Sequence, residues 1–256
     1  MARTAPALSG AVEEFERAAL KRGLKINEEK TMNMKTSRRS TACKPSFNML
    51  NYAFPVCKEF KYLGTIVTKD NYVTSEIKGR MAAGNRCFWA VQREMRFRCL
   101  SRLAKLVIYR TIIRPVVTYG SETWVLTAAN ERLLNCWERK VLRKIFGAIC
   151  ENGTWRIRTN AELRRLYGEP DIVAFIKRGR CRWLGHVERM PAERYPKKAL
   201  NGAPGGRRLR GRPRRRWLED VEDDLTALGV RRWRLLAQDR KEWSSIAERA
   251  LVLVGP

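Results

Sequence analysis

Seven arginines lie within one ten-residue segment late in the chain, 207–216, and their clustered positive charges could bind an anionic ligand. Guanidinium groups bind phosphate oxygens in a bidentate fashion, so a polyanion is the expected ligand. The segment 210–213, Arg-Gly-Arg-Pro, also matches the core of an AT-hook, which enters a narrow minor groove. A nuclear import signal and a solvated basic linker are the other interpretations that stay open. The seven are Arg207, Arg208, Arg210, Arg212, Arg214, Arg215 and Arg216.

The overall composition favours the same class of ligand. The 256 residues include 53 Lys and Arg against 26 Asp and Glu, which gives a net charge of +27. Such a surface attracts nucleic acid, and an anionic membrane surface is the competing partner. No apolar run is long enough to cross a bilayer. We therefore expect a nucleic-acid partner and no membrane.

The cysteines and the single histidine were considered as metal ligands. Cys181 and His186 form the one close Cys/His pair, and a closed zinc site needs four ligands. The seven cysteines are odd in number and scattered, which is typical of free thiols in a reducing compartment. The sequence therefore predicts no metal site and a location in the nucleus or cytoplasm, not secretion.

Two short segments near the start resemble a known family. Residues 23–31, Gly-Leu-Lys-Ile-Asn-Glu-Glu-Lys-Thr, and residues 60–64, Phe-Lys-Tyr-Leu-Gly, are similar to the last two palm motifs of a non-LTR (LINE-type) retrotransposon reverse transcriptase. Residues 114–124 resemble the segment after the thumb, and residues 180–191 and 211–217 resemble the C-terminal domain of these elements. The resemblance, to an RNA-directed DNA polymerase, covers nearly the whole chain.

The resemblance implies roles for individual residues. Lys30 would be the general acid that protonates the departing pyrophosphate, and otherwise it is an exposed lysine after a turn. Tyr62, Leu63 and Gly64 would form the primer grip, where a glycine lets backbone approach a phosphate. The alternative for Gly64 is a glycine bulge in a buried strand.

The family's Tyr-x-Asp-Asp motif, which should lie just upstream of residue 23, does not occur in this chain. Two-metal phosphoryl transfer needs those carboxylates to hold the cations. We therefore expect no polymerase activity from this chain alone and no cofactor in it. Mg²⁺ is expected only for an intact polymerase.

Hydrophobic periodicity predicts the elements. A helix at 11–22 should be followed by strands at 24–26, 30–35 and 60–67, and helices should dominate after residue 74. We expect a helix over 77–95, a second that breaks near Pro115, later helices capped at Thr127 and Thr159, and another over 171–187. Two more helices are expected near 216–228 and 231–249.

The expected fold is mainly α, with a small α/β palm remnant followed by a helical thumb and a helical C-terminal domain. The predicted boundaries are 1–67 for the palm remnant, 68–126 for the thumb, 127–200 for the C-terminal domain, 201–216 for the basic linker and 217–256 for a terminal helix pair.

The predicted function is nucleic-acid binding by a reverse-transcriptase fragment. The alternative is a domesticated or decaying DNA-binding protein that uses the AT-hook-like arm. RNA template, RNA–DNA hybrid and DNA are all possible ligands, and the oligomeric state is left open. Trp155 could stack on bases, whereas five other tryptophans are expected in the core, and they are Trp137, Trp183, Trp217, Trp233 and Trp243. Besides the arm, the predicted phosphate ligands are Lys61, Arg178, Arg180 and Arg182.

Overall fold

The computed structural model describes residues 2, 4–36, 46–97, 99–202 and 215–252. The chain divides into two compact units, residues 1–76 and 77–256, which are described here one at a time. The fold is mainly α with small antiparallel sheets, as predicted. The finer division into palm, thumb and C-terminal domain stays a prediction. Among the described residues, no helix is long and apolar enough to cross a membrane.

Twelve α-helices lie in the described part of the chain, numbered α1 to α12 in order. A π-helical turn at Tyr109–Ile113 joins α4 to α5, and 3-10 turns cover Ser121–Thr123 and Ala250–Val252. The helices are Ala5–Leu20, Val73–Ala90, Gln92–Arg96, Arg102–Ile108, Arg114–Thr118, Ala128–Phe146, Asn160–Tyr167, Ile172–Glu188, Tyr195–Asn201, Trp217–Ala227, Trp233–Leu236 and Arg240–Arg249.

The first unit contains α1 and two hairpins. Strands β1 (Ser46–Met49) and β2 (Tyr52–Pro55) form one, and β3 (Glu59–Tyr62) and β4 (Thr65–Thr68) form the other. The predicted strands at 24–26 and 30–35 are wrong, because this stretch holds only one bridge, from Asn33 to Val56. The predicted strand at 60–67 is instead the second hairpin, since the chain reverses at residues 63 and 64.

The second unit begins with helices that differ from the prediction in two places. The helix expected over 77–95 is interrupted at Val91. The break expected near Pro115 is also wrong, because the chain stays helical through a π turn that ends just before Arg114 and Pro115. Proline has no amide hydrogen to donate, and the Arg114 amide instead donates five residues back to the Tyr109 carbonyl. The chain then continues helically as α5.

The two predicted caps, at α6 and α7, are confirmed, and the structure adds a third at the start of α8. Thr127 accepts from the Asn130 amide at the start of α6. Thr159 and Glu162 form the expected capping box of α7, and Asp171 accepts from the Ala174 amide at the start of α8. Each side-chain oxygen pairs with an amide that the first turn of a helix leaves unpaired. These local bonds fix where α8, the central helix of the second unit, begins.

A buried polar cluster holds the start of α8 against α6 and the π turn. The Tyr109 hydroxyl donates to Glu138 Oε1 at 2.6 Å, and the Ile172 amide donates to Glu138 Oε2 at 2.8 Å. Burial raises the pKa of the Glu138 carboxyl to about 7 despite these two donors. The cluster therefore joins three elements through one carboxyl group.

The other end of α8 packs into a core shared with α10, α11 and α12. Cys181, Leu184, Val221, Trp233 and Trp243 are among its buried members. Trp243 lies directly on Gly185, where an added Cβ would come within 2.0 Å of the indole Nε1. The same nitrogen donates to the Cys181 carbonyl at 2.8 Å. The glycine is therefore needed for close helix packing.

Candidate nucleic-acid interface

Helix α8 presents two chemically different faces. The side chains at 172, 176, 180, 181, 184 and 187 are buried in the core. A second set recurs three or four residues apart and therefore shares another face, because an α-helix has 3.6 residues per turn. That face carries Phe175, Arg178, Gly179, Arg182, Trp183, His186 and Arg189.

This second face lines a pocket of about 460 Å³. Its other wall is the 3-10 turn at Ser121–Thr123, which follows a left-handed Gly120 with a φ of 72°. Ser121 and Glu122 contribute the lining residues on that side. The pocket therefore lies where two segments of the family resemblance, 114–124 and 180–191, meet.

Three arginines give the pocket its charge, but they differ in availability. Arg178 pairs with Glu248 at 3.1 Å, and Arg189 donates to the Ala237 carbonyl at 2.6 Å. Arg182 is exposed and makes no ion pair or hydrogen bond with any other described residue. Arg182 is therefore the pocket cation most available to a phosphate.

Aromatic rings lie among these cations. The Arg114 guanidinium is 4.2 Å from the centre of the Phe175 ring, and that of Arg178 is 5.1 Å from it. Trp183 and His186 lie 5.5 Å apart between ring centres, with the rings tilted by 45°. Cations beside aromatic rings are the side-chain chemistry that grips backbone and bases of nucleic acid.

Arg180 does not belong to this face, and its predicted role as a phosphate ligand is corrected. Its side chain is fully buried, with Nη2 2.6 Å from Asp220 Oδ2 and Nη1 3.7 Å from Asp224 Oδ2. Lys177 adds a second cation to the cluster, 3.2 Å from Asp224. The reason is helical phase, since Arg180 lies with the core residues of α8. Its charge is structural.

Cys181 and His186 lie on different faces of α8. Cys181 is buried, and burial raises the pKa of its thiol to about 12, whereas His186 is exposed in the pocket. Among the described residues, no group of three or more His, Cys, Asp or Glu side chains is placed to hold a metal ion.

The basic arm joins the second unit near the same pocket. The Trp217 indole donates to the Glu122 carbonyl at 2.7 Å, which links the segment 211–217 of the resemblance to the 3-10 turn. Arg215 pairs with Asp220 at 3.2 Å and also with Asp223, so its charge is partly neutralised. Arg216 is exposed. Outside the described residues lie Arg207, Arg208, Arg210, Arg212 and Arg214.

In the first unit, Lys30 lies at the end of an exposed turn. Its amide donates to Asn27 Oδ1 at 2.9 Å, and the Thr31 amide donates to the Asn27 carbonyl at 3.1 Å. An asparagine side chain that bonds its own backbone in this way stabilises a tight turn. The ammonium group of Lys30 is exposed, and its role as a general acid stays a prediction.

The predicted primer grip is the tip of the β3–β4 hairpin. Leu63 and Gly64 both have positive φ, 47° and 85°, and Leu63 is 75% exposed. A leucine in this conformation is strained by about 1–2 kcal/mol, so the turn presents an apolar side chain at a conformational cost. Tyr62 and Lys61 are exposed on β3. These residues therefore lie in a tight, exposed hairpin, and their role as a primer grip stays a prediction.

Sequence reasoning missed several pocket residues. Phe175 and Arg189 could have been found by extending the three- and four-residue spacing from Arg182 along α8. Glu122 gave no such signal, because its approach to α8 depends on tertiary packing. Among the tryptophans, Trp137, Trp233 and Trp243 are buried as predicted, and Trp155 is exposed. Trp217 is half-buried against the core, whereas the predicted core position of Trp183 is wrong, because this side chain is half-buried and lines the pocket.

The fold and pocket define a basic, mainly helical protein with an arginine-rich, aromatic-containing surface. No protein-family model matches the chain, and no solved structure matches it. Over 200 residues it is 24% identical to an uncharacterized transposon-derived protein of Caenorhabditis elegans. The aligned region covers 75% of this chain and 70% of that relative. This similarity supports a transposon-related origin.

Proposed function

We propose that this chain binds nucleic acid as the C-terminal part of a retrotransposon RNA-directed DNA polymerase. The observation that carries the proposal is the α8 pocket, in which Arg182 is exposed beside Trp183 and makes no ion pair with any other described residue. Phosphate contacts supply most of the affinity in sequence-independent binding, and aromatic rings add contacts to bases. A net charge of +27 supplies the long-range attraction.

The resemblance adds roles that operate only in an intact polymerase. There Lys30 would donate a proton to the leaving pyrophosphate, and Tyr62, Leu63 and Gly64 would hold the primer strand. The Mg²⁺ ions would be held by carboxylates of the Tyr-x-Asp-Asp motif, which are not among the residues of this chain. The chain alone binds RNA template, RNA–DNA hybrid or DNA in the nucleus or cytoplasm and does not extend a primer.

The pocket is tested by charge reversal with a matched control. Arg182→Glu removes the available cation, and Arg93→Glu makes the same charge change on the exposed surface of α3. Equilibrium affinity for a single-stranded RNA, an RNA–DNA hybrid and a DNA duplex is measured for both variants at the same ionic strength. We expect Arg182→Glu to weaken binding several-fold more than Arg93→Glu.

Equal losses in the two variants would show that net charge, not the pocket, determines binding. Failure of the unchanged chain to bind any of the three ligands would refute the proposed function. A strong preference for A·T-rich DNA duplex over RNA and hybrid would instead favour a DNA-binding protein that uses the AT-hook-like arm.

A further inference from the structure

Residues 149–158 form a third hairpin, which we call the Trp155 hairpin. Trp155 has the most exposed side chain of the tryptophans in the described chain. Strands β5 (Ile149–Glu151) and β6 (Thr154–Arg156) pair with Cys150 opposite Trp155. The turn residues Asn152 and Gly153 both have positive φ, 49° and 79°. Asn-Gly is the preferred sequence for such a two-residue turn, so the hairpin is locally encoded.

Ion pairs fix the hairpin to α7. Arg156 Nε donates to Glu151 Oε2 at 2.7 Å, and its two Nη groups donate to Glu162 at 2.9 and 2.6 Å. These bonds lower the pKa of Glu162 to about 2. At the base, Arg158 Nε donates to the Gly147 carbonyl at 3.1 Å and Arg143 Nε donates to the Arg158 carbonyl at 3.2 Å. The hairpin is therefore held at both its middle and its base.

The opposite face of the hairpin is apolar and unprotected. Side chains alternate along a strand, so the neighbours of Arg156 face away from α7. Trp155 is 73% exposed and Ile157 is 74% exposed. The polar contacts of the hairpin thus hold one side of it against α7, and the indole ring on the other side stays accessible to solvent.

The surroundings of the hairpin are basic. Arg156 is neutralised by its two glutamates, but the two arginines at the hairpin base make no ion pair with any described residue. They are Arg143 and Arg158. An accessible aromatic ring beside unneutralised guanidinium groups is complementary to a nucleobase with its phosphates.

We infer that Trp155 stacks on an unpaired nucleobase while these arginines hold the adjoining phosphates. This inference rests on the proposed function and adds the class of ligand, a single strand or a strand end. Inside a duplex both faces of every base are covered by neighbours, so an indole reaches a base face only where the strand is unpaired. The hairpin therefore makes the chain prefer single-stranded nucleic acid over blunt duplex.

The test compares a single strand that contains 2-aminopurine with a blunt duplex that has the same number of phosphates. Trp155→Ala should lower single-strand affinity by about 5- to 150-fold, the range that corresponds to one lost base–aromatic stack. It should also remove the quenching of 2-aminopurine fluorescence that stacking produces. Duplex affinity should change less than about twofold, because no charge is altered. Trp155→Phe should retain most of the affinity.

Tyr195→Ala is the control, since Tyr195 is 86% exposed on α9 and lies outside the hairpin. Its single-strand affinity should stay at the level of the unchanged chain. Unchanged single-strand affinity in Trp155→Ala, or an equal loss on duplex, would overturn the inference. Loss of a concentration-dependent dimer without loss of single-strand affinity would also overturn it, by showing that the hairpin binds a second copy. Binding of neither ligand by the unchanged chain would instead refute the proposed function.

Discussion

Arg180 and Arg182 are two residues apart on α8, and the structure predicts opposite consequences of changing them. Arg180 is fully buried against Asp220 and Asp224, whereas Arg182 is exposed in the pocket. The perturbation is Arg180→Gln in one variant and Arg182→Gln in the other, which removes the same charge from each.

The magnitude follows from the burial of the ion pairs. Removing one partner of a buried pair typically costs about 3–5 kcal/mol, because the remaining charge stays buried without compensation. Asp220 loses its closest cation but keeps Arg215 at 3.2 Å, and Asp224 keeps Lys177 at 3.2 Å, which places the effect at about 3–4 kcal/mol. A unit of this size loses about 2–4 °C per kcal/mol, so the melting temperature should fall by about 6–16 °C.

The assay is thermal unfolding followed by circular dichroism, with RNA affinity measured on the same preparations. Arg182→Gln should change stability by less than about 0.5 kcal/mol and should weaken RNA binding. The deficit of Arg180→Gln should be smaller at pH 5 than at pH 8, because burial raises the pKa of the Asp224 carboxyl, and loss of the Arg180 charge raises it further, so that this carboxyl takes up a proton in acid. If Arg180→Gln melts normally and loses RNA affinity, Arg180 is a phosphate ligand and its assignment to the core is refuted.

Three further predictions concern packing, titration and the arm. Gly185→Ala should lower stability by about 1–3 kcal/mol in denaturant unfolding, because its Cβ would meet Trp243 at 2.0 Å, whereas Gly179→Ala, with no atom nearer than 3.9 Å, should be neutral or stabilising. Glu138 holds its proton to a pH of about 7 when folded but to 4.5 when unfolded, so its contribution to stability should fall as pH rises between these values. Melting curves of Glu138→Gln should lack that decline, and an identical pH profile would contradict the assignment. Replacing five arm arginines by serine should weaken binding to all sequences alike and flatten its salt dependence without changing the melting temperature, and the five are Arg207, Arg208, Arg210, Arg212 and Arg214.

Local signals in the sequence predicted most of the helices but not the environment of their charges. The caps at Thr127, Thr159 and Asp171 depend on bonds within a few residues, so they can be recognised without tertiary information. Residues 180 and 182 point about 200° apart on a helix, so phase alone could have separated Arg180 from Arg182. The partner of Arg180 could not have been foreseen, because Asp220 lies 40 residues further along the chain.

The strands were harder to predict for a related reason. The segment at 24–26 pairs with no strand among the described residues of the first unit, and isolated segments gain little from extended conformation. The Asn-Gly pair at 152–153 was a usable hairpin signal, and Trp155 lies on the second strand of that hairpin. The pocket beside α8 required tertiary packing, since its second wall comes from a turn more than fifty residues away.

The most direct test of nucleic-acid binding is the salt dependence of affinity for a single-stranded RNA. Each phosphate contact should add about −0.7 to the slope of the logarithm of the association constant against the logarithm of salt concentration. With Arg182, the Trp155 hairpin and the arm all in contact with the RNA, we predict a negative slope of several units between 50 and 400 mM salt. A flat dependence, or no binding at 50 mM salt, would contradict the account.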